Sequence, residues 1–144
     1  MLRDRFRGTL LGLAVGEAMG APADFLTAEQ IEERFGVITE MIGGGCHEVQ
    51  LGEATDATDM MLCLAESLAD TGGFDPEDIM NRYLAWFESG PRDVSLTVRT
   101  VLLSFRSGTH WDLASRRAFE ILGSPAAGNG SLMRCAPLAL LFCG

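Results

Sequence analysis

Thr55-Asp56-Ala57-Thr58-Asp59, running into Met60-Met61-Leu62-Cys63-Leu64-Ala65, is the stretch from which the architecture of this chain can be read. Four oxygen-bearing side chains stand ahead of an apolar run, and that order marks the start of a buried helix. Thr and Asp suit a helix start because their oxygens accept hydrogen bonds from first-turn amides that lack an intrahelical partner. Capping needs only one such residue. A carboxylate beside hydroxyls is also the ligand type that a hard cation such as Mg²⁺ takes. On spacing alone, both readings of Thr55 and Asp56 stay open.

Working outward, the pattern stays helical. Ile79, Met80, Tyr83, Leu84 and Phe87 follow three-and-four spacing behind Asp75-Pro76 and end before Gly90. Val94, Val98, Val101 and Phe105 repeat it up to Gly108, and a shorter helix is expected from Asp112 to Leu122 before Gly123. Thr27 and Gln30 make a capping box for a helix through Phe35, stopped by Gly36. Val37 to Ile42 alone looks extended, and a lone segment of this kind reads as loop. The expected fold is all-α, roughly six or seven short helices joined by glycine turns.

The chain's 144 residues suffice for one domain with a real core. Apolar residues make up 47% and charged residues 22%, a globular balance. A net charge of −9 with scattered basic residues argues against nucleic acid, which needs clustered Lys and Arg. Cys46, Cys63, Cys135 and Cys143 show no CxxC spacing and read as small hydrophobes in a reducing compartment. His47 beside Cys46 is either a local metal pair or plain loop. The apolar run Leu10 to Val15 is too short to cross a bilayer and is followed by Glu17. The expected location is the cytoplasm, with no membrane partner.

Two glycine patterns need a reason. Gly8, Gly12, Gly16 and Gly20 fall on one face of the first helix. Mid-helix glycine costs about 1 kcal/mol relative to alanine, so a closely packed backbone or a ligand is expected there. Packing is the reading for Gly8 and Gly12, and a site for Gly16 and Gly20 beside Glu17 and Asp24. Gly128-Asn129-Gly130-Ser131 either forms an anion-binding nest ahead of a helix starting near Ser131, or an ordinary capped loop. Arg134, so near the apolar run Ala136 to Phe142, calls for a carboxylate or phosphate partner.

Taken in order, these segments resemble the ADP-ribosylglycohydrolase family. Gly16-Glu17-Ala18-Met19-Gly20-Ala21-Pro22-Ala23-Asp24 is similar to its opening motif, and Thr55-Asp56-Ala57-Thr58 to its Thr-Asp-Asp-Thr signature. Gly128 to Pro137 matches its Gly-Asn-Gly-x-x-Met-Arg-x-x-Pro segment, and Gly90-Pro91-Arg92-Asp93-Val94 resembles a stretch between them. The resemblance implies an orthogonal multi-helix bundle with two Mg²⁺ (or Mn²⁺) ions at the base of an ADP-ribose cleft. It implies Thr55 and Asp56 as metal ligands, and Asp24 and Asp56 as catalytic carboxylates. Gly128, Asn129, Gly130 and Ser131 would line the cleft. The implied substrate is an ADP-ribosylated protein or a small ADP-ribosyl compound.

Departures from the pattern set the alternatives. Ala57 stands where the signature has a second Asp, which opens the reading of a non-catalytic ADP-ribose-binding or structural relative. Asp24 is a methylene shorter than the usual Glu, and Glu17 a methylene longer than the usual Asp. The family's C-terminal Asp-x-Asp motif has no counterpart, so residues 1–144 are expected to be the N-terminal portion of one domain, inactive alone. A helical interaction domain, its glycine ridge serving packing only, is the third reading.

Overall fold

The computed structural model describes residues 1–123 and 128–143, so Gly144 of the expected 1–144 domain lies outside the described residues. Among those residues the fold is all-α, as expected. Seven α-helices follow in order: α1 (Leu2–Gly20), α2 (Ala28–Phe35), α3 (Asp56–Thr71), α4 (Pro76–Glu88), α5 (Leu96–Arg106), α6 (Trp111–Leu122) and α7 (Ala136–Leu141). Short 3-10 turns lie at Ala21–Ala23 and Asn129–Ser131.

The core is built around α3. Met60, Leu64 and Leu68 are four residues apart, so one stripe of α3 meets the stripes Ile79/Tyr83 of α4 and Val98/Leu102 of α5. All seven are buried, and Met133 and Leu138 close over the cluster from the C-terminal side. α5 and α6 pack closely through Ala114 and Ala118, which have no exposed surface. α1 instead lies at the edge against α3 and α7, and Ala18 is its one buried residue.

Local signals end the helices as anticipated. The Thr27–Gln30 capping box is complete in both directions, and the Asp75 carboxylate accepts from the Glu77 and Asp78 amides ahead of α4. Val37 to Ile42 forms no strand, and one isolated bridge, Gly44 to Val49, is the nearest thing to a sheet among the described residues. No helix of the described residues is long and apolar enough to cross a membrane.

Two expectations are corrected. A Cβ added at Gly8 or Gly12 would meet nothing within 4 Å, so the close backbone packing expected there is not found among the described residues, whereas Gly20, expected at a site, lines a cavity together with Glu17 and Asp24. No helix begins near Ser131: a 3-10 turn ends there and α7 starts at Ala136, where Pro137 suits a first turn. In the apolar run that follows, Leu138 packs against the core, whereas Phe142 is 74% exposed.

Candidate active site

The start of α3 is capped from a distance. Thr55, the residue at the cap position, makes no side-chain cap hydrogen bond. Glu17, near the end of α1, does so instead. Its Oε1 accepts from the Ala57 amide at 2.8 Å and the Thr55 hydroxyl at 2.7 Å. Its Oε2 accepts from the Thr58 amide at 2.8 Å and from the Thr58 hydroxyl. A carboxylate at a helix N-terminus is doubly favoured, satisfying orphan amides and meeting the positive end of the dipole. The capping reading of Thr55 is thereby replaced: it donates to the cap rather than serving as one. Asp59 is also occupied, accepting from the Trp86 indole at 2.9 Å.

Of the oxygens in this stretch, only the Asp56 carboxylate is left without a hydrogen bond among the described residues. It faces a cavity of about 1150 Å³ whose wall also carries Glu17, Asp24, Thr55 and Asp93. Its pKa is pushed up from 3.8 to about 6, chiefly by burial and then by the negative charges of Asp93 and Glu17, against the opposing pull of Arg134 and His47. A half-buried carboxylate held among like charges is destabilised until a cation or a proton joins it.

Asp24 ends the Ala21–Ala23 turn and stands over the same cavity. His47 Nε2 lies 3.1 Å from Asp24 Oδ2 and 4.0 Å from Asp93 Oδ2. The loop that delivers His47 is pressed against that turn: a Cβ on Gly45, whose φ is +73°, would sit 2.7 Å from the Pro22 Cα. Only glycine allows this approach. Cys46 Sγ points to the Asp24 carbonyl at 3.9 Å. Asp93 and His47 were not singled out as site residues from sequence. The available signal was the Gly90-Pro91-Arg92-Asp93 stretch, which the fold carries to the cavity wall.

Across the cavity sit Gly128, Asn129, Gly130 and Ser131, with Arg134 behind them. The turn is held locally, by the Leu132 and Met133 amides donating to the Asn129 carbonyl at 2.8 and 3.0 Å. Arg134 Nε donates to the Gly130 carbonyl, its guanidinium lies 5.5 Å from the Tyr83 ring centroid, and NH1 approaches Met60 Sδ at 3.0 Å. It forms no ion pair among the described residues. Of the two partners expected for it, carboxylate or phosphate, no carboxylate pairs with it among the described residues, and an aromatic face takes that place. Burial drives the Tyr83 phenol up to about 12, so the ring presents a neutral face to that cation.

The donor chemistry suits a hard divalent ion, with the unpartnered Asp56 carboxylate next to the Thr55 hydroxyl, whose lone pairs remain after it donates to Glu17. No group of three or more His, Cys, Asp or Glu converges on one point among the described residues. All the expected site residues, Asp24, Thr55, Asp56 and Gly128 to Ser131, line one cavity.

Comparison with known proteins gives the family. The profile of the ADP-ribosylglycohydrolase family matches residues 1–144. The chain is 38% identical over 143 residues to the ADP-ribosyl-[dinitrogen reductase] glycohydrolase of Rhodospirillum rubrum, covering 99% of this chain and 46% of that protein. It is 33% identical over 138 residues to the ADP-ribosylarginine hydrolase Tri1 of Pseudomonas putida strain GB-1, covering 95% of this chain and 36% of that one. A solved ADP-ribosylglycohydrolase-related protein complex superposes with a TM-score of 0.73 at 41% identity, over 96% of this chain and 42% of that chain. The chain thus spans less than half the length of these relatives.

Proposed function

The chain belongs to the ADP-ribosylglycohydrolase family, and from that premise we propose that it supplies one side of the active site of a Mg²⁺- or Mn²⁺-dependent hydrolase. The substrate is a protein side chain, or a small molecule, bearing ADP-ribose. The observation that carries this reading is Asp56: alone among the oxygens at the start of α3 it is unsatisfied, and it faces a cavity between like charges.

In this reading Asp56 and Thr55 hold the metal, and Glu17 fixes the first turn of α3 that presents them. When bound, the two ions supply Lewis-acid charge stabilisation and an activated water. Asp24 stands where it can move a proton between that water and the departing side chain as the bond at the anomeric carbon breaks. The exposed amides of Gly128 to Ser131, with Arg134 behind them, meet the diphosphate; they act without a helix dipole, since α7 starts later. With all four cysteines free and no membrane-length helix among the described residues, the cytoplasm is the proposed location.

The test is release of ADP-ribose from an ADP-ribosylated protein by the whole protein as its gene encodes it. Metal-dependent release that Asp56→Ala abolishes is the expected result. Equal turnover by wild type and Asp56→Ala, or turnover untouched by chelator, sinks the reading. A second reading is favoured by Ala57: an ADP-ribose-binding relative without catalysis. Calorimetric binding of ADP-ribose without any release selects it.

A further inference from the structure

His47 belongs to neither the metal ligands nor the glycine turn, yet the fold is distorted to place it. Among the described residues only two non-glycine positions have positive φ: Phe25 at 60° and Glu48 at 49°. Each directly follows one member of the Asp24–His47 pair. Positive φ is unfavourable for a side chain with a Cβ and persists only where the surroundings enforce it. The surroundings do enforce it here. The Gly44–Val49 bridge closes the loop, and Gly45 abuts Pro22. The Arg92 guanidinium donates to the His47 and Glu48 carbonyls at 3.4 and 3.0 Å. Arg92 is itself paired with Glu53 at 3.4 Å. Phe25 is 83% exposed, so no burial of its own side chain accounts for its conformation.

The consequence is a shielded imidazole between two carboxylates that line the cavity. The His47 side chain is only 10% exposed, whereas that of Asp24 is 54% exposed. A carboxylate oxygen can only accept, so the 3.1 Å contact puts the ring proton on Nε2. Asp93 Oδ2, at 4.0 Å from the same nitrogen, shares the electrostatic field of that proton. Asp24 is short and mostly solvated, so without this contact its carboxylate would sample several rotamers.

We propose that His47 is a positioning residue for the reaction, its Nε2–H fixing the Asp24 carboxylate over the cavity while Asp93, 4.0 Å from the same nitrogen, adds to the field that holds the ring. The inference rests on the hydrolase reading and deepens it. His47 touches no reacting atom, so it acts on turnover rather than on substrate affinity, and misplacement of a catalytic carboxylate by about 1 Å can cost a hundredfold in rate.

The experiment compares wild type, His47→Leu and His47→Gln in ADP-ribose release by the whole protein, with melting temperature followed in parallel. His47→Leu is expected to lower kcat by about thirtyfold with KM changed less than about threefold. His47→Gln, whose amide nitrogen can donate near the Nε2 position, is expected to recover most of that loss at an unchanged melting temperature. Wild-type kcat in His47→Leu, or a loss that tracks melting temperature and is not recovered by Gln, overturns the positioning role while leaving the hydrolase reading standing. Wild type that releases no ADP-ribose removes both. Independently of turnover, proton–nitrogen spectra of the ring in the folded protein should show the Nε2-protonated form and a shift on Asp24→Asn. The Nδ1-protonated tautomer, or a ring indifferent to Asp24→Asn, overturns the proposal.

Discussion

The two walls of the cavity are held in opposite ways. At the start of α3, satisfaction comes from far along the chain: Glu17 reaches residues 55 to 58, and Trp86 reaches Asp59. At the glycine turn it is local, with amides three and four residues away and one arginine laid back over its own turn. The first arrangement uses up every polar group but one, so the leftover Asp56 charge is aimed and rigid. The second leaves the amides of Asn129 to Ser131 without a partner among the described residues and rests Arg134 on Tyr83. A wall built by long-range clamping concentrates negative charge, and one built by a local turn exposes neutral donors. Together they suit a ligand that brings metal to one side and phosphate to the other.

Removing the clamp gives the largest expected effect. Glu17→Ala strips the acceptor from two amides and two hydroxyls, and should cost about 3 kcal/mol in urea unfolding. A loss below about 1 kcal/mol would mean that water replaces the carboxylate and that the walls do not differ in this way.

On the opposite wall Arg134→Met keeps the stem but removes the guanidinium from Gly130 and Tyr83. It should cost about 1–2 kcal/mol and weaken ADP-ribose binding about tenfold. Unchanged ADP-ribose affinity in calorimetry would detach this arginine from the ligand.

Asp56→Asn sharpens the contrast because its sign is reversed. In the fold this carboxyl titrates at about 6 against an ordinary 3.8, so folding takes up a proton between those values. Stability therefore falls as pH rises through that window and stays lower above it. Asp56→Asn should melt about 3 °C higher than wild type at pH 7.5, with the gain vanishing below about pH 4. Added Mg²⁺ should raise the wild-type melting temperature and leave Asp56→Asn unmoved. Equal melting at pH 7.5 would show the charge to be unstrained.

The smallest effect lies away from both walls. Gly12→Ala on the open face of α1 should stabilise by about 0.5–1 kcal/mol, because the new methyl meets nothing and the helix gains propensity. Destabilisation would mean that something packs on that face.

The helices were legible because their signals are local. Met60, Leu64 and Leu68 share a stripe by spacing alone, and the Thr27–Gln30 box and Asp75-Pro76 announce their own helix starts. Ordered motifs picked out Asp24, Thr55, Asp56 and the glycine turn, and the fold brings them to one cavity. His47 and Asp93 were not, since nothing in a loop's composition says which carboxylate it will meet. The glycine ridge misled for a related reason: spacing shows that four glycines share a face but not whether anything lies against it.

Sequence by itself determined an all-α chain with a buried helix at residue 56, because helix periodicity and capping are properties of neighbours within a turn. Only the tertiary structure decided which oxygens remain free at that helix start. The choice was made by Glu17 and Trp86, whose side chains come within 3 Å of these groups only once α1, α3 and α4 have packed.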